Sequence, residues 1–326
     1  PVPEPRMAWG KNNPIGSPKG IYPGRVAWVH APGAATWKKG EGFWYEDRWN
    51  NQEDADWLMS NSILSLTGET KEKAAWNALF ISFNQEHGKG RKGYGKGEKI
   101  AIKINQNNSF SHEDCEQLNA SPHLTLALLR SLVNEGGIPQ EQITVFDASR
   151  FITDALFNKC HAEFPDVIYL DNEGGAGRTK STYTADAIPY SKDNGRLARG
   201  LANCVIEADY LINMALLKGH GGQGVTLCAK NWYGVTDIDR NFRKNQHNNF
   251  NQDRGGKPRY MTFTDFIAHK DLGQKTMLFL IDGLYGSENV NGAPSGKWKM
   301  PPFNNNWPCS LFASQDPVAI DAVGID

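Results

Sequence analysis

The sequence predicts an α/β fold: a layered sandwich on a mainly parallel sheet, preceded by an irregular and helical N-terminal region. Three observations carry that expectation. From Glu98 onward, apolar runs of strand length alternate with segments of helical periodicity, the grammar of a parallel sheet covered on both faces. The runs near residues 100–104, 142–146, 167–170, 208–217, 275–281 and 310–313 are short and mostly apolar, as buried strands require. Most of them empty into a polar residue, a turn former or a helix cap.

Residues 1–24 are rich in Pro, Gly, Asn and Lys and read as a surface arm. Arg25 to His30 alternates into a strand, and an aromatic loop follows through Trp37, Phe43, Trp44, Tyr45 and Trp49. Helices fit Gln52 to Thr67 and Glu69 to Glu86; the second carries Ala74, Ala75, Ala78, Leu79, Ile81 and Phe83 and closes into Gly88. The basic Gly/Lys stretch 89–97 is a natural boundary. It divides the chain into residues 1–97, an arm and helical region packed on the core, and residues 98–326, the α/β domain.

In that domain Lys99 to Asn105 is a strand. Ser121-Pro122 supplies a cap and a first-turn proline for a helix through Leu124, Leu128, Leu129, Leu132 and Val133. Gln142 to Phe146 is a strand ending at Asp147, a helix spans 152–163, and Val167 to Leu170 is a strand ending at Asp171. A helix at 201–207 precedes the strand Ala208 to Leu217. Lys275 to Ile281 leads to Asp282, and Ser310 to Ala313 precedes the cap Asp316 and the first-turn Pro317 of a helix that is expected to continue past Asp326.

Composition excludes several classes. Lys plus Arg is 35 against 36 for Asp plus Glu, so no global field favours nucleic acid or a membrane surface. No apolar stretch reaches the length of a membrane-spanning helix. Cys115, Cys160, Cys204, Cys228 and Cys309 are scattered with no CxxC pair, against a zinc knot or an iron–sulfur cluster held by this chain alone. The chain opens at Pro1 without Met, which leaves a processed start and export open. With 10 Trp and 28 Asn, aromatic faces and amides are abundant, a composition that suits sugar hydroxyls and ordered loops alike.

The segment 205–234 is the most informative. The apolar run 208–217 empties into Lys218-Gly219-His220-Gly221-Gly222-Gln223-Gly224, and a helical pattern follows with Val225, Cys228, Ala229 and Trp232 on one face. Strand, glycine loop and helix would aim free N–H groups at an anion, and Lys218, His220 and Lys230 would add positive charge. A P-loop needs Lys then Ser or Thr directly after its last glycine, and here Val225 and Thr226 stand there. The dinucleotide glycine spacing fails as well. ATP and NAD are therefore not expected; the sequence assigns no cofactor and leaves a divalent metal open.

In parallel sheets ligands sit beyond the carboxyl ends of the strands. The residues landing there are Lys103 and Asn105, Asp147, Asp171, Lys218 with Gly222 and His220, Asp282 and Asp316. Lys230 and Asn231 come from the following helix. Two loops frame the crevice: residues 236–260, with six Lys/Arg against three acids and His247 in an Asn-rich run, and residues 286–309, with Trp298, Phe303 and Trp307 as an aromatic rim. The first is long and polar enough to act as a lid. His30, His87, His112, His123, His161 and His269 read as surface or satisfied core histidines.

The segments at Ile100–Asn105, Ser121-Pro122, ADYLINMALLKGH, GVTLCAKNWYG and SQDPVAIDAVG, in that order, resemble the family known as domain of unknown function 362, over residues 99–326. The LTG at 66–68 and the GEKIAIKIN entry resemble its exported subgroup in Bacteroidetes-type bacteria, which implies a periplasmic or extracellular location. Many relatives carry a ferredoxin-like module whose cysteines this chain lacks, so electron transfer does not carry over. The family brings no agreed catalytic residues.

The expected function is that of an enzyme acting on an anionic or polyhydroxylated small molecule or saccharide. In that reading Lys218 and Lys230 neutralise a carboxylate or phosphate, His220 is acid or base, and Asp147 or Asp282 orients the imidazole or holds a cation. Lys103, Asn105, Gly222, Asn231, His247, Trp298 and Trp307 contact the ligand. The alternative is a non-catalytic sugar or metabolite binder using the same crevice, with the aromatic rim as a stacking platform.

Overall fold

The computed structural model describes residues 16–185, 200–221, 224–236 and 262–326. The expected α/β sandwich is present. Its strands are β1 (Val26–His30), β2 (Ile100–Lys103), β3 (Ile143–Asp147), β4 (Ile168–Asp171), the short β5 (Thr179–Lys180), β6 (Tyr183–Thr184) and β7 (Leu201–Ala202), then β8 (Tyr210–His220), β9 (Gly224–Thr226), β10 (Thr276–Ser287) and β11 (Ser310–Ser314). The main sheet runs β1-β11-β10-β8-β2-β3-β4-β5, with β9 attached to β8. From β10 to β5 every neighbouring pair is parallel, while β1 and β11 add an antiparallel edge.

β8 lies between β10 and β2, at the centre of the sheet, and its first nine residues are all buried. Hence the uninterrupted apolar run of its first half: a parallel strand covered on both faces has no solvated side to make polar. The helices that cover it are α1 (Gln52–Thr67), α2 (Glu72–Glu86), α3 (Pro122–Arg130) and α4 (Asp154–Glu163) on one face, whose core takes in Leu58, Leu79, Leu128 and Leu156 with Ile102 and Ile212. On the other face α5 (Asn203–Glu207), α6 (Cys228–Asn231), α7 (Thr262–Ala268) and α8 (Pro317–Ile325) bury Val205, Cys228, Phe266 and Ile320 against Leu211, Phe279 and Ile281.

The caps read from sequence are made. The Ser121 hydroxyl accepts from His123 N and Leu124 N at the start of α3, and Asp316 accepts from Val318 N and Ala319 N at the start of α8. Both helices carry proline in the first turn, where its missing N–H costs nothing.

Three expectations need correction. β8 does not stop at Leu217 but runs through His220, and β9 returns antiparallel with Lys218 opposite Thr226 and His220 opposite Gly224. The glycines thus make a β-hairpin, not a loop opening a helix. Gly224, at φ +82, takes a backbone conformation that glycine reaches without strain. The helix expected from Val225 begins only at Cys228 and lasts four residues before a 3-10 turn over Trp232–Val235. β10 extends to Ser287, so Asp282 sits mid-strand, opposite Leu216 of β8, not at a strand end.

Among the described residues no helix is long and apolar enough to cross a membrane. Gly222, His247 and residues 237–260 of the expected lid lie outside the described residues.

Candidate functional site

The carboxyl ends of β2, β3 and β8 meet α6 in a buried polar network. Lys103, the last residue of β2, is 1% exposed. Its ammonium lies 3.0 Å from Asp147 Oδ2 and 3.1 Å from Asn231 Oδ1, and it also donates to the Ile104 carbonyl. Burial pulls the Lys103 amine below the usual lysine range, and the adjacent Asp147 carboxylate opposes that pull. Asp147 is itself saturated: Gln106 N donates to Oδ2 at 2.9 Å, and the Ser149 amide and hydroxyl donate to Oδ1 at 3.1 Å each.

Asn231 is the hub. Its carbonyl oxygen accepts from Lys103 and, at 3.0 Å, from Asn105 Nδ2. Its amide reaches Asn213 Oδ1 at 2.8 Å, Met214 O at 3.2 Å and Lys103 O at 3.3 Å, while Asn213 donates to Cys228 O at 2.9 Å. One side chain therefore ties β2, β8 and α6 together. The N-terminus of α6 is held from elsewhere: Asp321 of α8 accepts from Cys228 N at 2.8 Å and from Ala229 N at 2.9 Å. The two sequence segments GVTLCAKNWYG and SQDPVAIDAVG are thus one structural unit, which fixes where Lys230 and Asn231 stand.

The backbone of the 3-10 turn closes over this network at Gly234. A Cβ there would stand 2.6 Å from Lys103 Cε and Nζ and 2.8 Å from Asp147 Oδ1. We expect Gly234→Ala to displace the buried ion pair and cost about 1–3 kcal/mol, read as a fall in urea midpoint without a change in slope; an unchanged midpoint would show that the network yields freely.

Lys218 lies at the far end of β8. It is 4% exposed, and among the described residues its ammonium makes one hydrogen bond, at 3.3 Å to the Leu118 carbonyl. That carbonyl is shared with Asn107 Nδ2 at 2.8 Å. Among the described residues no carboxylate comes within ion-pair distance of Lys218. Burial pulls its amine well below the usual lysine range; the Lys230 charge lowers it further, Asp147 acts against this, and Lys103 and Arg150 add to it. Lys218 thus feels the positive charges of Lys230, Lys103 and Arg150 and the negative charge of Asp147. Lys230 is half-buried, with its ammonium 4.5 Å from the centre of the Tyr233 ring.

His220 is 7% exposed and lies two residues beyond Lys218 on the same strand, hence on the same face. Neither proposed carboxylate partner reaches it by hydrogen bond among the described residues. Asp147 is occupied as above, and Asp282 accepts from Ser121 N at 2.9 Å and from Leu284 N at 3.2 Å. Asp282 thus bridges the centre of the sheet to the start of α3.

Burial pushes the Asp282 carboxyl up to about 6, against the two backbone N–H donors that favour its ionised form. The folded value lies above the unfolded one, so folding holds a proton on Asp282 between about pH 4 and about pH 6. The protein loses stability from this group as pH rises through that window, roughly 3 kcal/mol in full. Asp282→Asn should flatten this slope, gaining on the wild type between about pH 4 and about pH 6. Thermal melts across that range check it; parallel curves for the two proteins would contradict it.

The aromatic rim is not a rim. Trp307 is buried, with its indole N–H on Trp37 O at 2.9 Å and its ring packed edge-on to Tyr285 at 5.1 Å. Apolar area of that size is worth most inside, where its N–H also finds a carbonyl. Trp298 is half-buried, edge-on to Phe303 at 4.6 Å.

A second polar pair stands along the same edge of the sheet. Asp171, fully buried at the end of β4 and opposite Asp147 in register, accepts from His112 Nε2 at 2.8 Å. It also accepts from Ile152 N, Glu173 N and Gly174 N. His112, expected as a surface or satisfied core histidine, is satisfied by a carboxylate 59 residues away, a pairing that leaves no local signal in the sequence. His123, by contrast, is a satisfied core histidine, with Nε2 on Asp47 and its imidazole pulled down to about 4 by burial. Among the described residues no three His, Cys, Asp or Glu side chains converge as a metal-ligating set.

The chain belongs to the family described as Domain of unknown function (DUF362), whose profile matches residues 100–326. That span holds the parallel part of the sheet and every residue of the Lys103–Asn231 network. No curated protein matches the chain.

Proposed function

We propose that the crevice at the carboxyl ends of β2, β3 and β8 takes a small anionic molecule, a carboxylate or a phosphate, and acts on it enzymatically. Lys218 carries this reading. A buried ammonium with one shared carbonyl partner and cationic neighbours is expensive to keep, and an anion delivered beside it would offset that cost. Lys230 adds to the attraction. His220, on the same strand face, is the candidate acid or base. Supporting the reading, the side-chain oxygen of Asn105 and both amide ends of Gln106 are buried without a hydrogen-bond partner. Gln106 is 3% exposed, and its N–H touches Asp147. Such groups are rare in native proteins and call for a partner. The β8–β9 pairing places Lys218 to His220 opposite Gly224 to Thr226, and Gly222 and Gln223 of the turn lie outside the described residues.

A thermal-shift panel of small carboxylates, inorganic phosphate and neutral sugars tests the proposal. Anions at about 100 times their dissociation constant should stabilise the wild type by ~2.7 kcal/mol and leave Lys218→Met unmoved. A response to neutral sugars alone would favour the saccharide-binding alternative and overturn the anion reading.

A further inference from the structure

We propose that Lys218 is a Schiff-base nucleophile and that the anion of this crevice is a 2-oxo acid; this rests on the anion reading above and narrows it. The geometry has three parts. The Lys218 amine is enclosed, with a single acceptor at 3.3 Å that also serves Asn107, so nothing strong holds its protons. It shares its surroundings with Lys230, Lys103 and Arg150, and a neighbouring cation disfavours a second ammonium while attracting a carboxylate. It makes no ion pair with Asp147, whose four hydrogen bonds are committed to Lys103, Gln106 and Ser149, although the Asp147 charge still reaches it. An amine desolvated beside another cation is the arrangement that makes lysine a nucleophile at neutral pH. The lowered affinity of Lys218 for its proton agrees with this.

A 2-oxo acid fits both demands at once. Its carboxylate is drawn by the surrounding cations, which sets the adjacent carbonyl carbon beside Lys218 Nζ. The nitrogen lone pair adds to that carbon and the carbonyl electrons move to oxygen, giving a carbinolamine. Loss of water, with the nitrogen proton passing to the departing hydroxyl, leaves a C=N bond. No oxidant or reductant is consumed. Lys103 is the contrasting case: equally buried, but its ammonium is fixed by Asp147, Asn231 and Ile104 O and is not free to add.

The amine lies under a strap. Residues 105–120 cross it and are tied to the segment after β10 by Leu118 N on Gly292 O and Asn107 Nδ2 on Val290 O, each at 2.8 Å. The same stretch is also held by Gln106 N on Asp147, Trp44 Nε1 on Gln117 O, Phe151 N on Asn108 O and Asp154 N on His112 O, so the amine is enclosed by well-anchored backbone.

The experiment is reductive trapping in the full chain. The protein is incubated near neutral pH with pyruvate or 2-oxoglutarate and cyanoborohydride, and the modified lysines are mapped by peptide mass spectrometry. Lactate, which has the carboxylate but no carbonyl, and acetone, which has the carbonyl but no carboxylate, are run alongside. We expect the Lys218 peptide to be modified by the 2-oxo acids at least roughly tenfold faster than surface lysines, which stay protonated at that pH. Acetone should show no such preference, and lactate should slow trapping by competition. Lys218→Arg, which keeps the charge and cannot form an imine, should lose the adduct and still bind lactate. Saturable binding of lactate and pyruvate with Lys218 unmodified overturns the Schiff base and leaves the anion reading standing. Absence of binding by any of the acids overturns the Schiff base, and absence of binding by inorganic phosphate as well overturns the anion reading.

Discussion

Lys103→Met should destabilise the protein by about 3–5 kcal/mol, the largest loss expected from a single change at this site. The cause is the carboxylate left behind. Asp147 is 1% exposed and loses its only ion-pair partner among the described residues, and Asn231 loses one of the two described donors to its carbonyl oxygen. Methionine fills similar volume, so the effect comes from charge, not from a cavity. Because Asn231 joins β2 to β8 and α6, the loss should be cooperative. Chemical denaturation of the variant would show a lower midpoint with an unchanged slope. A loss below about 1 kcal/mol, the range of an exposed pair, would mean that water reaches Asp147 freely.

Lys218→Met should move stability the other way. In the folded protein its amine holds a proton less tightly than in the unfolded chain, so unfolding takes up a proton and folding is disfavoured over the interval between the two values. The penalty is present at neutral pH and fades as pH rises toward the ordinary lysine range. Without added anion, Lys218→Met should therefore melt above the wild type near neutrality, by an amount on the order of a few kcal/mol, with the gap closing in alkali. A residue whose removal stabilises the fold while abolishing ligand binding is one kept for function. A variant less stable than the wild type at every pH would show that Lys218 serves the fold.

Much of this arrangement was legible in the sequence, for identifiable reasons. The buried parallel strands announce themselves by continuous apolar runs, and the rule that ligands gather at strand carboxyl ends brings Lys103, Asn105 and Asp147 to one place. Asn231 follows because it lies on the next helical segment after the central strand, even though the sequence pattern does not show the return strand between them. Ser121 and Asp316 are local caps, each followed directly by a proline, and need no tertiary knowledge. The hairpin was misread because Lys218 to Gly224 satisfies two grammars at once: glycines that open a helix also turn a hairpin, and a three-residue returning strand has too little pattern to decide. The depth of Trp307 is set by its contacts with Tyr285 and with Trp37, the latter 270 residues earlier in the chain, and no periodicity reports it. Asp321 on the α6 amides and Asp171 on His112 are likewise contacts across 93 and 59 residues. Only the folded chain shows that these carboxylates position Lys230 and the edge of the crevice.

The central claim is that Lys218 awaits an anion, and calorimetry of lactate binding tests it most directly. Lactate carries a carboxylate, no carbonyl and no proton that titrates near neutrality. Its binding should raise the affinity of the Lys218 amine for a proton, so over the pH range in which the free amine loses its proton complex formation should take protons up from buffer. Titrations in two buffers of different ionisation enthalpy should then give different heats, and the Lys218→Met protein should give none. Heats that do not depend on the buffer, or equal binding by Lys218→Met, would contradict the account.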